Sequence, residues 1–136
     1  LKLFFVLLAP LFLFAADIKF SSAASLDEAS KNFAKRAASA IEEELGTTLI
    51  KNFESQIYED EAALYALKSG IIKFGVVKKS IFADLGLDID NTHAYGLEIV
   101  SHSGDALLLT QSRFFAGIDN AKKTKLKKRL KSNIEN

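Results

Sequence analysis

Residues 53 to 77 read FESQIYEDEAALYALKSGIIKFGVV: the end of a strand, a turn, a short helix and another strand, in close succession. Glu59, Asp60 and Glu61 stand where a first helical turn would begin, and carboxylates are favoured there by the helix dipole. Ala63, Leu64, Ala66 and Leu67 supply a buried face, and Gly70 supplies the stop. The run IIKFGVV, 71 to 77, is almost continuously apolar, with the length of a strand covered on both faces. The stretch is a βαβ crossover, and its acids and alanines start and pack a helix without needing any chemistry.

The preceding residues repeat the pattern. TTLIKNF, 47 to 53, is β-branched and aromatic enough for a strand. Before it, Phe33, Ala37, Ile41 and Leu45 recur at four-residue spacing with Ala34 and Ala38 beside them, the apolar stripe of an amphipathic helix. Gly46 stands where a left-handed helix end prefers glycine. Ser25-Leu-Asp-Glu28 reads as a capping box, with the Ser25 hydroxyl accepting from the first turn and Glu28 reaching back. DIKF, 17 to 20, is a short strand. Asp17 to Val77 therefore reads β-α-β-α-β, which places the chain in the α/β class with a parallel sheet.

The first sixteen residues differ in kind. LKLFFVLLAPLFLF is one lysine and an apolar run, broken by Pro10 and too short to span a bilayer, with small residues at Ala15 and Ala16. These are the marks of a secretory signal peptide, and the mature chain is expected to start near Asp17. The sequence has no cysteine, which excludes a disulfide framework, thiol chemistry and thiolate metal sites. A formal net charge of +1 excludes a strongly basic or acidic protein, yet the charges are segregated. Glu42 to Glu44 and Glu59 to Glu61 are acidic clusters, whereas Lys122, Lys123, Lys125, Lys127, Lys128 and Arg129 form a basic run.

Beyond Lys78 the pattern loosens. LEIVS (97 to 101) and LLLT (107 to 110) are strand candidates, and the tail from Asp119 is helix-permissive, with KLKKRL also readable as a strand. His93 and His102 lack the third partner of a metal site or a triad. Asp88, Asp90 and Asn91 lack the glycine and the distal glutamate of a calcium loop, and the glycines are too scattered to cradle a phosphate. No catalytic residue, metal or cofactor is expected. The basic run lacks the interleaved aromatics that nucleic acid or a membrane interface would use, so no nucleic acid is expected either. Its most discriminating member is Arg129, since a guanidinium can grip a carboxylate through two parallel hydrogen bonds.

ADIKF, NFAKR, EEELG, SQIYEDEAALYALKSG and IKFGVV, in that order, resemble the N-terminal part of the extracytoplasmic solute-binding receptors of tripartite ATP-independent periplasmic (TRAP) transporters, which include dicarboxylate receptors. GLEIVS (96 to 101), LTQSR (109 to 113) and DNAKKTKLKKRL (119 to 130) are similar to a second block of that family. The resemblance implies a periplasmic-binding-protein-like lobe with the second lobe largely missing. It also implies binding rather than catalysis: a carboxylate-bearing organic acid captured in the periplasm and delivered to membrane permease subunits. Arg129 falls on the arginine that holds the ligand carboxylate in the family, and Lys78, at the end of the third strand, is a candidate helper. The expected organisation is a signal peptide at 1–16, a first α/β lobe at 17–90, and a remnant of the crossing strands with the start of the second lobe and the basic tail at 91–136. Two alternatives stay open: a truncated or degenerate receptor fragment without ligand binding, and an exported basic module contacting anionic membrane or nucleic acid.

Overall fold

A computed structural model describes residues 18–51 and 59–135. The proposed leader and the Ser55-to-Tyr58 part of the receptor-like stretch lie outside the described residues. Five strands form one sheet: β1 (Ile18–Ser22), β2 (Leu49–Lys51), β3 (Phe74–Lys78), β4 (Leu97–Ser103) and β5 (Ala106–Gln111), in the spatial order β2-β1-β3-β5-β4. The helices are α1 (Glu28–Leu45), α2 (Asp60–Ser69), the short α3 (Ile81–Asp84) and α4 (Ser112–Ala116), and α5 (Asn120–Glu135), with a 3₁₀ segment at Ile89–Tyr95.

The β-α-β-α-β reading holds. β1 pairs in parallel with both β2 and β3. The chain leaves β1 toward β2 and then returns past β1 to β3. Right-handed crossovers that run in opposite directions put their helices on opposite faces of the sheet. Two cores result. Phe33, Ala37 and Ile41 of α1 pack with Phe20, Phe74, Val76 and Leu108 on one face, while Leu64 and Leu67 of α2 pack with Val77, Phe82, Leu107 and Leu109 on the other. The alternation along β3 and β5 divides each strand between the two cores, which is why both read as continuous apolar runs. Gly75 lets the second face pack closely: a Cβ there would lie 3.3 Å from both Ile72 Cδ1 and Leu67 Cδ1, tighter than ordinary contact.

Beyond the parallel part, the sheet continues with an antiparallel hairpin. β4 and β5 join through Gly104 and Asp105, with Gly104 at φ 56°, and β5 pairs antiparallel with β3 from Phe74–Thr110 to Lys78–Ala106. Residues on both sides of position 90 thus belong to one sheet. The tail is a helix and not a strand at KLKKRL: Leu126 and Leu130, one turn apart, are fully buried in the core that holds α1. Lys123 and Lys127 lie over the Phe115 ring at 5.4 and 5.3 Å. Among the described residues no helix is long and apolar enough to cross a membrane.

Two local expectations are corrected. Ser25 does not cap α1. Asp27 is the N-cap and accepts from the Ser30 N–H at 2.8 Å, because a carboxylate is the stronger acceptor at a helix start. The third strand begins at Phe74, not at Ile71. The N–H groups of Ile71 and Ile72 both donate to the Ala66 carbonyl, completing the end of α2, and Ile71 is 54% exposed. Backbone groups spent on a helix end are not free to enter a ladder.

Candidate functional site

Open α/β sheets take ligands at the carboxyl edge of the strands, in the crevice where the strand order reverses. Here the reversal lies between β1 and β3, so the carboxyl ends of those two strands define the candidate site. Three segments converge there: the loop after β1, the start of α2, and the link from β3 into α3.

Asp60 ties them together. Its Oδ2 accepts from the Ser25 hydroxyl at 2.8 Å, and its Oδ1 accepts from the Lys78 N–H at 2.8 Å. Ser25 is thus engaged across 35 residues of sequence, which accounts for its absence from the cap of α1. The Ala23 N–H donates to the Val76 carbonyl at 2.9 Å, and the Lys79 N–H to the Asp105 carbonyl, which binds the hairpin tip to the same edge. Asp60→Ala removes two acceptors and should cost about 1–3 kcal/mol, read as a lowered urea midpoint.

Lys78 lies beside this bridge. By strand alternation its side chain falls on the α1 face with Phe74 and Val76. There its charge reaches Asp27, whose carboxyl is held below the usual 3.8 first by the Ser30 backbone N–H, then by the Ser30 hydroxyl, and more weakly by Lys78.

Arg129 is elsewhere. Its Nη1 is 2.8 Å from Glu43 Oε2 and 3.6 Å from Glu44 Oε1, at the C-terminal end of α1. That end leads through Gly46 into the start of β2, where the Leu49 N–H donates to Glu42 Oε2 at 3.0 Å. Arg129 therefore sits toward the amino edge of the parallel strands and Lys78 at their carboxyl edge, and the structure does not bring the two together. The Arg129 hydrogen bond lowers the Glu43 carboxyl from its usual 4.5, and the pair raises the guanidinium further.

Asp27 and Glu43 set the expected acid response. A carboxyl held low in the folded chain stabilises it fully above the unfolded value, and that contribution is lost as pH falls through the folded one. The melting midpoint should therefore be level near neutrality and begin to fall once pH drops below about 4.5. Asp27→Asn combined with Glu43→Gln should flatten the acid limb.

The remaining candidates are local. Asp88 accepts from the Asp90 N–H at 2.9 Å, and the Asp88 N–H donates to the Tyr95 hydroxyl at 2.9 Å, so these residues brace the 3₁₀ segment. His93 is exposed, 3.7 Å from Glu98. Among the described residues no three His, Cys, Asp or Glu side chains group closely enough to hold a metal ion.

Among the described residues, clefts open along the carboxyl edge. One, of about 380 Å³, is lined by Ala24, Ser25, Glu59, Asp60, Glu61 and Ile81. A second, of about 370 Å³, lies over Phe82, Ala83 and Leu87, and a third, of about 190 Å³, lies beside His102 and Leu107. The last two share Lys79 and Ile89. The bridging role of Asp60 was not read from the sequence, which offered it as an acid of a first helical turn.

No family model matches the chain, and no curated protein matches it. Among solved structures, a TRAP periplasmic solute-binding protein from Ochrobactrum anthropi, with its C-terminus bound in the ligand-binding pocket, is similar at a TM-score of 0.64 and 9% identity. That likeness covers 88% of this chain and 75% of the other. An apo, open TRAP periplasmic solute-binding protein from Rhodobacter sphaeroides is similar at a TM-score of 0.63 and 11% identity, over 88% of this chain and 77% of the other. At such identities the likeness is one of fold: the chain has an α/β architecture similar to that of periplasmic solute-binding proteins.

Proposed function

We propose that this chain is an extracytoplasmic solute-binding receptor of a TRAP-type transporter, capturing a carboxylate-bearing organic acid and passing it to membrane permease subunits. A shared fold does not by itself carry a function. The observation that carries the reading is the switch-point edge, where loops from β1 and β3 and the start of α2 are locked around open clefts. The polar groups at that edge are committed to holding walls: Asp27 to Ser30, Asp60 to Ser25 and Lys78. Such an arrangement suits capture rather than reaction.

In this reading residues 1–16 are an export leader, residues 17–90 form the first lobe, and residues 91–136 supply the crossing strands and the approach to a second lobe. The working location is the periplasm. Lys78 adds positive potential to the mouth of the edge. Arg129 would clamp a carboxylate only by exchanging it for Glu43 and Glu44.

Thermal melting followed by circular dichroism, with mono- and dicarboxylates at millimolar concentration, tests the proposal. An acid present at 100 times its dissociation constant should stabilise the chain by about 2.7 kcal/mol. Arg129→Ala should abolish that gain if the exchange occurs, and Lys78→Ala should reduce it. A midpoint indifferent to every acid would contradict the receptor reading.

A further inference from the structure

We propose that the carboxylate of the ligand is taken by Lys79, and that its body lies in the apolar cleft of Phe82, Ala83, Leu87 and Ile89. The preferred solute is then an apolar monocarboxylate and not a dicarboxylate. This inference rests on the receptor reading given above.

Charge decides between the clefts. The cleft beside Ser25 is lined by Glu59, Asp60 and Glu61 with no basic residue, a field that repels an anion. Lys79 lines both of the others. It directly follows Lys78 in the chain but belongs to the opposite face of the sheet, toward the core of α2, Phe82 and Leu107. Lys79 is exposed and enters no ion pair among the described residues. Its backbone is fixed by the bond from its N–H to Asp105. Lys78, by contrast, ends β3 on the α1 face of the sheet.

The walls of the cleft are built before any ligand arrives. The Leu87 N–H donates to the Phe82 carbonyl at 2.7 Å across a turn in which Gly86 takes φ 68°. The 3₁₀ segment is braced by Asp88, Asp90 and Tyr95. Leu87 and Ile89 are only partly buried, so the body of an apolar ligand would withdraw their exposed surface from water. A volume of about 370 Å³ lies within the usual range for small-molecule sites. Besides Lys79 and the Ser80 hydroxyl, a second carboxylate on the ligand would meet Asp88 there, and Asp90 with His102 in the adjoining cleft. One cation, apolar walls and neighbouring acids together select a single carboxylate on an apolar body.

Calorimetric titration with hexanoate and with succinate tests this on the wild-type chain and on Lys79→Gln, Lys78→Ala and Asp88→Asn. Asn at position 88 can still accept the Asp90 N–H, so that variant keeps the brace and removes the charge. The expected result is that hexanoate binds more tightly than succinate. Lys79→Gln weakens hexanoate by about tenfold or more, the usual loss for a charge-assisted hydrogen bond, and Lys78→Ala weakens it less. Asp88→Asn narrows the gap between the two acids. If an acid binds but Lys79→Gln leaves its affinity unchanged, or succinate binds as tightly as hexanoate, the assignment to Lys79 is overturned and the receptor reading stands. If neither hexanoate nor succinate, nor any other acid, binds the wild-type chain, both are overturned.

Discussion

Phe74→Ala should lower the free energy of unfolding by about 3–5 kcal/mol, the usual cost of deleting a buried aromatic ring. Phe74 is fully buried in β3, in register with Phe20 on one side and Thr110 on the other. Its ring meets Phe114 edge-on at 5.7 Å, with an interplanar angle of 89°. Removing it opens a cavity between the middle of the sheet and the α1 face, where helices and strands fixed by their own hydrogen bonds cannot close in. Since a domain of this kind is stable by about 5–15 kcal/mol, the variant should lose a large part of its reserve. Urea denaturation should show a lower midpoint with an unchanged slope. Tyr65 is 61% exposed, so Tyr65→Ala is the control, with a change of about 0.5 kcal/mol or less. Equal effects for the two variants would contradict the core described here.

Leu130→Ala should cost about 2–5 kcal/mol and loosen the whole C-terminal helix. α5 is lysine-rich on its outer faces, and such a helix has little stability of its own. Its place in the fold is set by Leu126 and Leu130, both fully buried against the core that includes α1. Lys127 adds a contact to Glu98 at 3.4 Å, and Arg129 adds the pair with Glu43, but exposed charges contribute little beside two buried leucines. Hydrogen exchange should therefore show lost protection along α5 in Leu130→Ala and near-normal protection in Lys128→Ala. Similar protection in both variants would mean that the basic run, not the leucine pair, holds the helix.

What the sequence made legible follows the range of each interaction. α1 was readable from Phe33, Ala37 and Ile41 and from Gly46, because helix period and helix end are local; Gly46 does take φ 63°. α2 and its end at Gly70 were readable for the same reason. The apolar run at 71 to 77 misplaced the start of β3 because apolarity marks burial, whereas the ladder depends on which N–H groups remain free after α2 has ended. Ser25 was misread because its partner, Asp60, is distant in sequence and adjacent only once β1 and α2 are in place. The acidic cluster at Glu42 to Glu44 and the basic run were both visible as segregated charge. Their meeting through Arg129 depends on α5 docking beside α1, which no local pattern specifies. The hairpin of β4 and β5 was legible as two strands around Gly104, but its antiparallel place beside β3 was not. Lys78 was read at the end of the third strand, and strand alternation puts it on the α1 face, whereas Lys79, one residue beyond the strand, lines the clefts on the other.

The most direct test of a solute site at the carboxyl edge is a map of amide chemical-shift changes as an organic acid is titrated into the isotopically labelled chain. The account predicts changes that saturate and cluster at Lys78 to Ile89, with the strand centres unmoved. Changes confined to the lysines of α5, or no saturable change with any acid, would contradict it.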